Sequence, residues 1–189
     1  MSPSALYPLP TLVGGRIRLR QVVESDAPAL LEVFGDPAVA RYLGIPRLTG
    51  IEDSRNMVRE IVEGAHSGEL LQWALTADGD DRLVGACMLA RISWPSERAE
   101  VGFAIGAAHW RRRLASAAVP LVIDHAFGAL GFHRLEADVD PRNEASLRLL
   151  ERLGFRREGH LRERHLAAGE RQDSVMLGLL APEWHQRNR

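Results

Sequence analysis

Lysine is missing from this sequence altogether: its 24 basic residues are all arginine. Set against 25 acids they leave a net charge of −1, which argues against a general nucleic-acid binder. The absence reads as genome-wide codon bias, and it matters below because glycine and arginine codons can differ by one base. Cysteine occurs once, as Cys87, so an internal disulfide framework and a multi-cysteine zinc site are excluded. It lies in the strand-like run LVGACMLA and is expected to be a small buried hydrophobe. No apolar run approaches the ~18 residues of a membrane helix. The start, MSPSALYPLP, lacks a basic region followed by an apolar stretch, so no secretory signal is read there. The seven histidines show no H-x-x-x-H or comparable spacing, and no metal site is expected. These absences point to a soluble, cytoplasmic chain without a membrane or nucleic-acid partner.

What is present suits one domain over residues 1–189, with 1–15 as an N-terminal extension. The hydrophobic fraction of 46% is ordinary for a chain with a real core. RIRLRQV alternates as a strand. ESDAPALLEVFGD is a helix, with Ser25 or Asp26 as N-cap and Pro28 in its first turn. IEDSRNMVREIVEGAHSG is a second helix ending near Gly68. LLQWALT, RLVGACMLARI and RAEVGFAI are three successive strands, with ADGDD as a turn between the first two. Residues 111–130 read as a helix with Pro120 inside it, HRLEADV as a strand, and NEASLRLLERLG as a helix with Gly154 as C-cap. FRREGHLRERHL and QDSVMLGLL make a closing hairpin around AAGE. The order is α/β with a mixed, mostly antiparallel sheet flanked by helices. The basic excess falls late: residues 1–110 hold 10 Arg against 14 acids, residues 111–189 hold 14 against 11.

Three stretches of this pattern, RAEVGFAI, HWRRRLASAA and HRLEADVDPRNEASLRLLERLGFRREG, carry a resemblance. From Ile17 to about Leu180 the chain resembles the GNAT superfamily of acyl-CoA N-acyltransferases. It looks most like the branch of ribosomal-protein N-terminal acetyltransferases of the Rim type. The third stretch is the most specific, with Asn143, Ser146, Leu-Gly-Phe at 153–155 and Glu-Gly at 158–159 in register. The resemblance implies a V-shaped coenzyme A cleft between the central strands, with pantetheine on the backbone near Phe103 and Ile105. It implies acetyl-CoA as acyl donor and a primary amine as acceptor, either a peptide N-terminus or a small molecule. Direct attack in a ternary complex is the implied reaction. Dimerisation is an analogy from that branch. The competing reading is a non-catalytic CoA-binding or regulatory module on the same fold.

In the superfamily the pyrophosphate lies on a helix N-terminus reached through a glycine-containing loop, where unpaired N–H groups and the helix dipole favour an anion. Here that loop is Trp110 to Ser116. Ala115 fits the family pattern, whereas Arg111 and Arg113 stand where glycines are usual. Arg111, Arg112 and Arg113 can flank an anion site, with Leu114, Ala115 and Ser116 supplying backbone. They can equally be a solvated helix start, or Arg113 can obstruct the cofactor. A proline inside the helix forfeits the bond to the Ser116 carbonyl and implies a bend.

The tyrosine that many family members use as general acid falls on Leu150 here, so that route is absent. The resemblance places Ser146 in the role instead, with Asn143 as N-cap and a partner for the pantetheine amide; the plainer reading is that both simply cap the helix. Glu100 is the candidate general base. It shares a strand face with Gly102 and Ala104, small residues that leave room for a substrate. Its plainer reading is a rim carboxylate paired with a nearby arginine. An α-amine, with a pKa of about 7.7–8.0 against about 10.4 for lysine, would need such a base less. The histidines are expected to be structural or on the surface, with His160 and His165 on opposite faces. Trp73, Trp94 and Phe34 are expected in the core or the cleft wall.

Overall fold

The computed structural model describes residues 7–167 and 169–187. One eight-stranded sheet organises them: β1 (Leu12–Gly14), β2 (Ile17–Gln21), β3 (Leu71–Ala77), β4 (Gly85–Ser93), β5 (Arg98–Ile105), β6 (Arg134–Val139), β7 (Arg156–Ala167) and β8 (Glu170–Leu180). Their spatial order is β1-β2-β3-β4-β5-β6-β8-β7, and every neighbouring pair is antiparallel except β5 with β6. The crossover that a parallel pair needs is supplied by α4 (Leu114–Asp124) and the π-helical turn His125–Ala129.

Helices cover both faces. On one, α1 (Ala27–Phe34) and α3 (Ile51–Ser67) pack Leu30, Val33, Val58 and Ile61 against Ala74, Ala86 and Ala104. On the other, α4 joins α5 (Glu144–Leu153) and α6 (Ala181–Arg187) over Leu75, Val101, Leu135, Leu177 and their neighbours. The short α2 (Pro37–Ala40) follows α1, with Asp36 capping it by accepting from the Ala38 N–H at 2.8 Å. In β6 the alternation Leu135, Ala137, Val139 inward and Arg134, Glu136, Asp138 outward follows the two-residue period of a strand. The outward side chains form ion pairs, Arg98 with Glu136 at 2.8 Å and Arg134 with Glu136 at 2.9 Å.

The expected strands and helices are all found, with differences at particular points. β1, which the sequence pattern does not reveal, is a three-residue strand turning back on β2 at Gly14 and Gly15. α2 and α6 are likewise additions. The expected helix over 111–130 begins only at Leu114, because Arg111 and Arg113 adopt left-handed backbone (φ 63° and 59°) that no helix contains. Pro120 lies inside α4 without ending it. Cys87 is buried, and burial pushes its thiol up to about 12. Trp73 and Phe34 are in the core.

Candidate active site

The central feature is where β5 and β6 part. Their parallel pairing covers Arg98–Glu100 against Arg134–Glu136, yet both strands run on, to Ile105 and Val139. On its other side β5 stays paired with β4 as far as Ile105. The Gly106 N–H donates to the Val84 carbonyl at 3.0 Å, so alternation along the antiparallel ladder turns the even-numbered residues toward β4. Phe103 and Ile105 therefore aim their backbone groups into the gap. The Ile105 carbonyl is already taken, by the Trp110 indole N–H at 2.7 Å.

A cleft of about 700 Å³ occupies this gap on the side of α4 and α5. Phe103, Ile105, Arg111, Arg113, Leu114, Ala115, Ser116, Asn143 and Ser146 all line it. The loop before α4 explains the arginines. Arg111 and Arg113, both left-handed, line the cleft, and Arg112 between them does not. Arg112 pairs with Asp78 at 2.6 Å and meets His109 Nδ1 at 3.1 Å, while its carbonyl accepts from Arg16 at 3.0 Å. Arg112, expected to bind the cofactor, is not among the residues that line the cleft; it staples the loop to the start of β2 and the end of β3. The left-handed backbone that glycine usually supplies is adopted here by arginine. At the start of α4 the first intrahelical donor is Ala117, whose N–H reaches the Arg113 carbonyl at 3.2 Å. The N–H groups of Leu114, Ala115 and Ser116 therefore lack intrahelical acceptors.

Across the cleft Asn143 caps α5, its Oδ1 accepting from the Ser146 N–H at 3.2 Å. Ser146 is the third residue of the helix, close to its positive end. Its own hydroxyl has no hydrogen bond among the described residues, and the residue lines the cleft. Leu150, at the usual tyrosine position, is buried.

Glu100 opens onto a smaller pocket with Tyr42, Leu43, Gly44, Arg91, Asp138 and His165. Tyr42 and Leu43 also line the larger cleft, so the two cavities meet there. Glu100 accepts from Arg91 Nη1 at 2.6 Å. Burial pushes its carboxyl above the usual range, Arg91 pulls it back, and Asp138 adds to the rise. Asp138, nearly inaccessible on β6, accepts from Ser174 and Arg164, and bonds His165 Nε2 at 3.0 Å. Burial alone would raise it, but those donors together hold it below the ordinary carboxylate range. The room expected beside Glu100 at Gly102 is filled by Met88, whose Cε lies 2.5 Å from where a Cβ would stand. Met88 is the cross-strand partner of Gly102.

Sequence reasoning missed Tyr42, Arg91, Asp138 and His165. His160 and His165 each meet an aspartate, Asp173 and Asp138; their partners in β8, Val175 and Gln172, put them on opposite faces, as expected. Among the described residues, no group of three or more His, Cys, Asp or Glu is arranged to hold a metal ion. No described helix is long and apolar enough to cross a membrane.

A strand pair that parts beside a helix N-terminus, over a second capped helix, is the arrangement that the resemblance to acyl-CoA transferases implies. The family described as "Acetyltransferase (GNAT) domain" matches residues 16–156, and the chain belongs to it; the protein is an N-acetyltransferase of that family. It is 34% identical over 174 residues to the uncharacterized N-acetyltransferase p20 of Bacillus licheniformis, spanning 92% of this chain and 98% of that protein. It is 31% identical over 173 residues to the uncharacterized N-acetyltransferase YoaA of Bacillus subtilis, at 92% and 98%. Its fold matches Mycobacterium smegmatis RimJ in complex with CoA-disulfide, with a TM-score of 0.85, 23% identity, and 94% and 90% of the two chains covered. Acetyl transfer from acetyl-CoA is the general reaction of the family.

Proposed function

We propose that the protein moves an acetyl group from acetyl-CoA straight to a primary amine in a ternary complex, with a peptide N-terminus the first acceptor class and a small-molecule amine the second. The observation that carries this reading is the meeting of two cavities at Tyr42 and Leu43, one fitted for an anionic, extended donor and one holding a carboxylate. The donor's phosphates sit against the N–H groups of Leu114, Ala115 and Ser116 and the guanidinium groups of Arg111 and Arg113. Its pantetheine lies along Phe103 and Ile105, with Asn143 Nδ2 free to bond an amide. Backbone N–H at the gap polarises the thioester carbonyl, an oxyanion-hole arrangement that needs no particular side chain.

Glu100 takes the proton from the acceptor's ammonium, directly or through water, and the amine then attacks the carbonyl carbon. The carbon–sulfur bond breaks as the new carbon–nitrogen bond is made. Ser146 donates its hydroxyl proton to the departing thiolate, and the second proton that the nitrogen sheds as the amide forms restores the hydroxyl. Holding both reactants at the junction supplies much of the rate. Thiol release from acetyl-CoA, measured against a panel of peptides with free N-termini and of small amines, tests the reading. Release that depends on one class of amine supports it; release that no amine in the panel accelerates refutes it.

A further inference from the structure

Arg91 belongs to none of the motifs above, yet its geometry is unusual. Between the pairs Ala90–Glu100 and Ser93–Arg98, β4 takes three steps where β5 takes two, the mark of a β-bulge with one extra residue. Arg91 lies in that bulge with φ 48°, a left-handed backbone that favours glycine. Strict alternation would send the side chain after Ala90 to the opposite face, among Leu89, Val101 and the buried core. The bulge instead brings the guanidinium to the face of Glu100. There Nη1 donates to Glu100 Oε2 at 2.6 Å and stands 3.7 Å from Asp138.

The surroundings single Arg91 out. Glu100 also faces Glu136 and Asp138 from β6 and Arg164 from β7; Tyr42, Asp140, His165 and Asp173 complete the pocket. Glu136 is held by Arg98 and Arg134, Asp140 by Arg142, Asp173 by His160, and Asp138 by Arg164 and His165. Among the described residues, Arg91 is the one hydrogen-bond partner of Glu100, and it uses a single nitrogen. More than half of its side chain is exposed, 55% against 20% for Glu100. A single-armed, solvated cation on a half-buried carboxylate is easily exchanged for another cation.

We propose that Arg91 is a positioning residue of the acceptor pocket: it stands on Glu100 where the acceptor's ammonium will stand, and yields that place toward Asp138 when the amine arrives. This rests on Glu100 being the base. A buried carboxylate with like charges nearby tends to take up a proton and would then be unable to accept the acceptor's. Arg91 keeps it charged while the pocket waits. Because both cations are drawn to the one carboxylate, they compete.

The test uses the whole protein without turnover. Glu100 is followed by carbon-13 carboxyl NMR in the wild type, Arg91→Gly and Arg91→Lys, its signal assigned by its loss in Glu100→Gln. Glycine suits the left-handed backbone while removing the side chain with its charge; lysine restores a cation. In Arg91→Gly the Glu100 midpoint should rise by about 1 pH unit, the lower end for a neighbouring charge because the arginine is solvated. Lysine should bring it most of the way back. With n-propylammonium as probe, the Glu100 signal of Arg91→Gly should respond at severalfold lower concentration than the wild type. An unmoved midpoint, or an unchanged propylammonium response, overturns the proposal. A failure of Glu100 as base would show instead in the pH–rate profile of Glu100→Gln, where neither readout is involved.

Discussion

Replacing Arg113 by glycine separates the two uses an arginine can have in a phosphate loop. Arg113 is the residue before α4, with φ 59° and ψ 22°. A left-handed conformation costs a residue with a side chain about 1–2 kcal/mol. Glycine relieves that strain but brings about 0.5–1 kcal/mol of extra chain entropy to the unfolded state. The two nearly offset, so stability should hold or rise by up to about 1 kcal/mol. The substitution therefore leaves the backbone intact while removing the guanidinium of an exposed residue that lines the cleft. A charge-assisted contact to phosphate, discounted for that exposure, contributes about 1–2 kcal/mol, so acetyl-CoA should bind roughly 5- to 30-fold more weakly. Calorimetric titration at low and high salt should also show a flatter salt dependence than the wild type, because one screened attraction is gone. Thermal denaturation run alongside reports the fold. Tighter binding in the variant would mean that the side chain crowds the phosphates; unchanged affinity at both salts would mean that backbone N–H groups hold them alone. Either result refutes the reasoning.

Ser146→Ala should lower kcat by about 10²- to 10⁴-fold, the range for one acid or base, with acetyl-CoA affinity little changed; unchanged turnover would leave Ser146 as a helix-cap residue. Glu100→Gln should lose most activity in the window between the Glu100 midpoint, which burial raises, and the amine's own pKa; below it the wild type too loses the base form, and above it the free amine needs no base. A loss that is flat in a pH–rate profile would assign Glu100 to structure. Asp138→Asn removes a carboxylate that accepts from Ser174, Arg164 and His165 and should cost about 2 kcal/mol at neutral pH. Since the folded carboxyl is held low, its contribution is present above the unfolded pKa and lost as pH falls through the folded one. The deficit in urea denaturation should therefore shrink only below about pH 4, and a deficit independent of pH would point to packing instead.

Local signals carried much of the architecture. Gly68 and Gly154 close their helices in the left-handed conformation expected of C-caps, and Asn143 and Ser146 stand at the cap and third position that their spacing foretells. What stayed hidden depends on contacts between distant segments. β1 and α2 span three and four residues, too few for a period to appear. The start of α4 is displaced because two arginines hold a conformation that sequence reasoning assigns to glycine. Arg112 is turned outward by Asp78, 34 residues away. The filling of the space at Gly102 follows from its cross-strand register with Met88, and Arg91 reaches Glu100 only through a bulge. Each is a pairing or register effect, absent from any single segment.

The brief contact of β5 with β6 gives the sheet an internal edge. An edge strand offers unpaired backbone to any extended chain, which proteins usually suppress with charge, proline or cover. Here the edge is sheltered in a crevice, so it can be offered to pantetheine and withheld from a neighbouring molecule. On the reading proposed above, the donor acts as a temporary strand mending a seam between two halves of one sheet. Amide hydrogen exchange at Phe103 and Ile105 should then slow when CoA is added, while the already paired Ala104 changes less. In that sense the enzyme without its donor is an unfinished sheet.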